Sequence, residues 1–390
     1  AHICDVRGGF GLAQQAIGAL SAARRGRTVL LESEGAEVES LVRSVLLETP
    51  YARLACVRAA DDNMIVVPAS LAAVKSSDLT RQTSTFRFQR RLRRADLSLP
   101  PLHQPTPSFS AWGHHIVSGG LGFVGKVVSR HMIDAHAAKG LVALSSSRDN
   151  DPSGASCVVR CDVSDGAEVR RMARALLCSK RPWGVLHAAG VLADGTATNL
   201  TADMFERVYR PKVHGARCLH LPSVHGHVGY LVLFSSISCG FGSGGQSNYA
   251  AANGALDALA HWRSSNGLSS LSVRWGGWEG GGMANDSVLE SGKQDGILPL
   301  SPALGVTTLM RLLFYTAPAP VVTVCPLDRA KLPSQAYFAN IATAGGAVRS
   351  TATTERTHEM SMIAGAEQRR EAIRTKVLGL VGQVVGTADS

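Results

Sequence analysis

"HHIVSGGLGFVGKVVSRHM" occupies His114–Met132. An apolar strand, His115–Val117, feeds Gly120-Leu121-Gly122-Phe123-Val124-Gly125, and a helix follows. This order of strand, glycine turn and helix opens a dinucleotide-binding unit. In that reading Gly120 permits the sharp turn. Gly122 withholds a side chain so that the backbone can approach a pyrophosphate. Gly125 lets helix and strand pack closely, while Gly119 and Leu121 complete the turn. Phosphates then sit at a helix N-terminus, where free N–H groups and the helix dipole favour anions.

Downstream, strand and helix patterns alternate for over 200 residues. Strands are expected at Leu141–Leu144, Cys157–Cys161, Gly184–His187, Tyr230–Ser235, Leu271–Val273 and Val321–Val324. The alternation predicts an α/β fold with a Rossmann-type, doubly wound parallel sheet over residues 106–332. Before it, residues 1–105 read as a smaller α/β subdomain, with strand patterns at "RTVLLES", "ARLACVRA" and "NMIVVP". Its loop "RGGFGLAQQA" has Gln14 where a nucleotide loop has its last glycine. "LPPLHQPTPSF" (Leu99–Phe109) is a proline-rich linker between the two. Residues 333–362, rich in Ala, Gly, Ser and Thr, read as a second linker. Residues 363–390 end in an amphipathic helix with Ile373, Val377, Leu380 and Val384 on one face.

The bulk numbers narrow the function classes. The chain has 390 residues, 45% hydrophobic, with a formal charge of +10. No apolar run is long enough to span a membrane, which takes about 18–20 residues, and no signal-peptide pattern opens the chain. A cytoplasmic setting is expected. Eight cysteines show no CxxC pair, so core thiols are expected and no metal site. The densest basic stretch, Arg87–Asp96, alternates like an exposed strand, and no nucleic-acid-binding motif accompanies it. A docking face for an acidic partner suits it better than a DNA arm.

The strand ends carry the expected cofactor contacts. After Leu144 come Ser145, Ser146, Ser147 and Arg148. Hydroxyls and a guanidinium suit a 2′-phosphate where a carboxylate would repel it, so NADPH is expected over NADH. In "CDVSD", Asp162 beside Val163 could accept a bond from the adenine amino group. In "HAAGVLADG", small Ala188, Ala189 and Gly190 let the cofactor lie against the backbone.

Catalysis needs a proton donor. "FSSISCGFGSGGQSNYAAANGALDALAHW" runs from Phe234 to Trp262. Tyr249 opens a helix, and Ser236 ends a strand on the other side of a glycine-rich loop. A phenol with a solution pKa near 10 works at neutral pH beside a positive charge. Ordinary short-chain dehydrogenases place a lysine four residues after the tyrosine; here Asn253 stands there. Lys212, in "VYRPKVHGARCLH", can supply the charge from ahead of a helix whose Ala216 and Leu219 face inward. His187 reads as a packed strand residue.

Taken in order, the glycine loop, "CDVSD", "HAAGVLADG", "PKVHGA", "LFSSIS…GGQSNYAAANGALDALA" and "RWGGWEGGGMA" resemble the ketoreductase domain of modular polyketide synthases and animal-type fatty acid synthases. That family, within the short-chain dehydrogenase/reductase superfamily, exchanges the lysine and asparagine positions. Residues 1–105 resemble its truncated, cofactor-free structural subdomain, and residues 363–390 the start of an acyl carrier domain. The resemblance implies NADPH-dependent reduction of a β-ketoacyl thioester on an acyl carrier protein, beside neighbouring synthase domains. Tyr249 is then the proton donor, and Ser236 a hydrogen-bond donor to the same oxygen. Lys212 lowers the tyrosine pKa, and Asn253 holds a relay water. Gly276 and Trp278 lie by the nicotinamide, and Met283 belongs to a lid.

The resemblance also bears on stereochemistry. One group of these ketoreductases has a Leu-x-Asp motif and lacks a tryptophan eight residues before the tyrosine. Here Leu192-Ala193-Asp194 and Phe241 stand at those places, and Asn248 precedes the tyrosine as in that group. A D-configured hydroxyl is expected. Asp194 could alternatively cap the helix that follows. The rival readings are a non-catalytic reductase-fold scaffold, a basic nucleic-acid-binding protein and a stand-alone reductase of a small ketone.

Overall fold

A computed structural model describes residues 2–5, 29–32, 44, 54–61, 64–68, 84–88, 114–136, 138, 140–146, 157–176, 183–225, 228–284, 286–314 and 319–332. Ser147 and Arg148, the linker at 333–362, the segment 363–390 and most of Arg87–Asp96 lie outside them.

Among the described residues the strands form two sheets. The first runs β1 (His2–Asp5), β2 (Val29–Glu32), β3 (Leu54–Asp61), β4 (Met64–Pro68) and β5 (Ser84–Phe88) in that order. Its pairs are parallel except for the antiparallel β3–β4 pair. The expected strand patterns of the first hundred residues are β2, β3 and β4.

The second sheet has seven strands, β6 (His115–Ser118), β7 (Leu141–Ser145), β8 (Cys157–Arg160), β9 (Trp183–His187), β10 (Val228–Ser236), β11 (Leu271–Trp275) and β12 (Val321–Val324). They lie in the order β12-β11-β10-β9-β6-β7-β8 and every pair is parallel. This is the expected doubly wound architecture. The chain winds outward from β6 through β7 to β8, returns to β9 and winds the other way. The direction reverses between β6 and β9, and in such sheets ligands bind outside the carboxyl ends of strands at that reversal.

Helices cover both faces. They are α1 (Phe123–His136), α2 (Gly166–Leu176), α3 (Ala202–Tyr209), α4 (Gly215–His225), a short α5 (Ser238–Phe241), α6 (Ser247–Ser265), α7 (Asp286–Gln294) and α8 (Pro302–Phe314). Successive strand side chains point to opposite faces. Val117, Leu186, Val232 and Phe234 therefore pack on one side with Met132 of α1 and Leu309 of α8. Ile116, Val185, Leu231 and Leu233 pack on the other with Val169 of α2, Leu219 of α4 and Leu256 of α6. Both faces are buried, so the strands read as unbroken apolar runs.

One cysteine expectation needs correction. Cys157 is exposed, because β8 is an edge strand covered only in part. Cys161 is buried, and burial pushes its thiol up to about 11. No group of three or more metal-ligating side chains occurs among the described residues. None of the described helices is long and apolar enough to cross a membrane.

Candidate active site

The glycine turn follows β6. Gly119 has φ +66°, a left-handed conformation that glycine adopts at no steric cost. A Cβ there would also sit 2.9 Å from the Ala189 backbone. The sharp turn therefore belongs to Gly119, correcting the expectation for Gly120. Gly120 must be small for packing: its Cβ would lie 2.7 Å from Ala143 Cβ and 2.9 Å from Val117 O. At Gly125 a Cβ would meet Gly120 Cα at 2.8 Å and the Gly119 carbonyl closer still, so this glycine sets the approach of helix to turn. Among the described residues a Cβ at Gly122 would meet only Gly119 O, at 3.2 Å. The space above Gly122 is open, as a close-lying phosphate requires.

Ser146 is exposed just past β7. Asp162 follows β8, where its Oδ1 accepts bonds from the Ser164 N–H (2.9 Å) and Oγ (2.6 Å). Its Oδ2 faces Arg210 at 3.4 Å. Asp162 thus closes its own turn. Val163 beside it is buried against Gly215. Ala188, Ala189 and Gly190 continue from β9. Ala189 lies against Gly119, and Gly190 against the Lys212 side chain.

Lys212 arrives by an irregularity the sequence did not announce. Between α3 and α4 the backbone widens into a π turn, Arg210–His214, with Pro211 in its first turn. π turns in helices recur at functional sites because they re-aim a side chain. Here Lys212 is turned inward and only 2% exposed. Its Nζ donates to Phe234 O at 2.8 Å and lies 5.2 Å from the Tyr249 ring centre. Burial holds its pKa down to about 8.

His187 secures that turn, a role its strand position did not reveal. Its Nε2 bonds the Lys212 carbonyl at 2.8 Å, and its Nδ1 meets Ser118 Oγ at 2.7 Å. A carbonyl only accepts, so Nε2 carries the proton and Nδ1 accepts from the serine. Burial depresses the ring's pKa to about 4, which keeps it neutral. The side chain ties the strand that enters the glycine turn to the segment that bears the lysine.

Ser236 ends β10, and its Oγ accepts the Ser238 N–H at 3.2 Å. That bond occupies a lone pair and leaves the hydroxyl proton free to donate outward. Tyr249 lies in the first turn of α6. Burial pushes its phenol up to about 12, against the opposing pull of Asn253 and Ser236. Lys212 is not among the causes of this shift, so the lowering expected from the lysine is not seen in the free protein. Asn253, one turn further, donates from Nδ2 to Tyr249 O at 2.8 Å. Its Oδ1 is buried with no hydrogen-bond partner among the described residues.

A cavity of about 250 Å³ brings Ser236, Tyr249 and Lys212 together with Ala188, Gly276 and Trp278. Leu192 and Met283 also line it. Trp278 is packed on Trp275, ring centres 5.2 Å apart. Gly280, Gly281 and Gly282 all have positive φ, so the loop before Met283 takes a path closed to other residues.

The expected steering residues divide. Leu192 faces the cavity, whereas Asp194 is exposed and accepts from Gln246 Nε2 at 3.0 Å. It does not cap the next helix; Thr201 does, accepting the Met204 N–H. Asn248 is fully buried and does not line the cavity. Its Nδ2 donates to Ala193 O (2.7 Å) and Met204 O (3.2 Å), so it anchors the loop that carries Leu192. Phe241 is partly buried at the end of α5, and Gly242 and Ser243 beside it line the cavity.

The left-handed turn, the open space at Gly122 and the small residues after β9 together fit a nicotinamide dinucleotide.

Residues 113–280 match the family model of the KR domain. The phenolphthiocerol synthesis polyketide synthase type I Pks15/1 of Mycobacterium marinum is 35% identical over 284 residues, 68% of this chain and 13% of that protein. A Mycobacterium tuberculosis relative, Pks1, is 35% identical over 281 residues, 67% of this chain and 17% of its own length, and bears the word inactive in its name. A solved structure described as an A-type ketoreductase from a modular polyketide synthase superposes with a TM-score of 0.68 at 25% identity, covering 85% of this chain and 77% of that one. The chain spans less than a fifth of the length of these two synthases. With the seven-stranded sheet and the cavity residues of the expected pattern, the match places this chain among the ketoreductase domains of polyketide synthases.

Proposed function

We propose that this chain reduces a β-ketoacyl thioester, carried on the phosphopantetheine arm of an acyl carrier protein, to the β-hydroxyacyl thioester with NADPH. The observation that carries this reading is the convergence of Ser236, Tyr249 and Lys212 on one cavity beside the glycine turn. NADPH, when bound, supplies the hydride that the carbonyl carbon receives. The chain's own residues handle the oxygen. Ser236 Oγ, already accepting from Ser238, donates to it and holds its orientation. The Tyr249 phenol, held protonated at neutral pH, gives it the proton. Lys212 contributes a buried positive charge beside the tyrosine ring, which favours the phenolate left behind. Asn253 Oδ1 holds the water through which the phenol regains its proton. Alignment and preset donors supply most of such a rate enhancement.

NADPH is preferred through Ser146, Ser147 and Arg148. The arm enters from the side of Leu192 and Asp194 and the hydroxyl is D-configured, because Phe241 stands where a tryptophan marks the opposite entry. The A-type description belongs to the neighbour; this chain's class rests on its own residues. The remaining partners are the neighbouring domains of a synthase. The test is NADPH oxidation with an N-acetylcysteamine β-ketoacyl thioester, followed by chiral chromatography. Consumption of NADPH and a mainly D-hydroxy product are expected. No consumption would overturn the reductase reading, and a mainly L product the steering.

A further inference from the structure

Behind the catalytic serine lies a buried polar cluster that the proposed chemistry does not use. Asp257 is on α6, one turn beyond Asn253 and two beyond Tyr249, and is 1% exposed. A carboxylate so buried is costly unless its oxygens are bonded. Here three donors meet it. Ser272 Oγ donates to Oδ1 at 2.6 Å. Arg274 Nε donates to Oδ2 at 2.7 Å. Cys239 Sγ lies 3.1 Å from Oδ2. The same thiol is 2.9 Å from the Ser236 carbonyl oxygen, so its single proton is shared between two acceptors, one on each element. The cluster therefore links α6, which bears the tyrosine, to β11 and to the turn that bears the serine. A further bond, Ser235 Oγ to Asn253 O at 3.2 Å, parallels it.

We infer that Asp257 is a positioning residue for the ketone reduction, setting the separation of the Ser236 and Tyr249 hydroxyls through the Cys239 thiol and the Arg274 ion pair. The two hydroxyls sit on different elements, joined in sequence only by α5 and a glycine-rich loop. That loop includes Gly242 and Gly245, both at positive φ. Local sequence alone cannot hold two such groups to one carbonyl oxygen. The cluster spans the gap from behind, and neither Cys239 nor Asp257 lines the cavity. Burial and the neighbouring Asp257 charge push the Cys239 thiol up, so it stays a protonated donor.

A cluster that only stabilised the fold would lower thermal stability and leave turnover per folded molecule unchanged. The experiment therefore measures kcat, KM for thioester and for NADPH, and the thermal midpoint, for the unsubstituted chain, Cys239→Ala, Cys239→Ser and Asp257→Asn. It rests on the reductase reading above. We expect Cys239→Ala to lose kcat by about tenfold or more, since a misplacement near 1 Å can cost about 10²-fold. KM for NADPH should change less than twofold. Cys239→Ser, which restores a donor, should recover most of kcat. Asp257→Asn should lose kcat further; if it fails to fold, the two Cys239 variants decide. Full turnover by Cys239→Ala, or loss of kcat in Cys239→Ser equal to that in Cys239→Ala, would overturn the inference while leaving the reductase reading intact. An unsubstituted chain that turns nothing over would overturn both.

Discussion

Two glycines of one turn should fail in different ways when each is changed to alanine. In Gly125→Ala the new methyl would lie against three backbone atoms. The farthest, Gly120 C, is at 3.0 Å, Gly120 Cα is at 2.8 Å, and the Gly119 carbonyl is nearer still. Backbone cannot rotate away as a side chain does, so helix α1 must retreat from the turn by several tenths of an ångström. Overpacking of this kind costs about 1–3 kcal/mol. In a domain of this size each kcal/mol lowers the melting midpoint by roughly 2–4 °C. Gly122→Ala meets only Gly119 O at 3.2 Å, a contact that a small shift relieves. Its methyl instead occupies the open space where a pyrophosphate would approach. The assay pairs differential scanning fluorimetry with NADPH titration followed by nucleotide fluorescence. Gly125→Ala should lose both midpoint and affinity. Gly122→Ala should keep its midpoint within about 2 °C and lose affinity by about tenfold or more, as expected where a buried phosphate loses its backbone donors. A Gly122→Ala protein that binds NADPH like the original would show that the phosphates do not cross this turn.

Tyr249→Phe should lower turnover by about 10²–10⁴-fold with little change in NADPH affinity, because the ring keeps its packing; retention of a tenth of the activity or more would exclude Tyr249 as the acid. Burial holds Lys212 down to about 8, so its positive charge is present below that pH and is lost above it. The pH profile of kcat/KM should accordingly fall as pH rises through about 8. Lys212→Ala should be slower throughout and lack that limb, since the remaining phenol titrates near 12; an unchanged limb would remove Lys212 from the mechanism. Arg148→Asp should lower or reverse the preference for NADPH over NADH in paired kinetics, and equal use of both cofactors by the unsubstituted chain would refute the assignment.

Much of this protein was legible along the chain because the signals are local. A two-sided sheet needs apolar runs, and a dinucleotide turn needs glycines at set spacings. Both are properties of neighbouring residues, so the strands from His115 to Val324 and the glycine loop could be read in advance. The types of the proposed catalytic groups were legible for the same reason: a serine after one strand, a tyrosine opening a helix and a lysine ahead of another. What could not be read is how separate segments meet. Glycine spacing does not say which residue takes φ +66°, and that proved to be Gly119. Nothing in "VYRPKVHG" announces a π turn, which arises where α3, α4 and His187 must fit together. Asn248 and Asp194, neighbours of the site in sequence, turned to brace a loop instead of lining the cavity. Asp257 gained its surroundings only when α6 closed on β11 and α5. A side chain's type is carried by its own codon, but its solvent, partners and charge state are set by residues that only folding brings within a few ångströms.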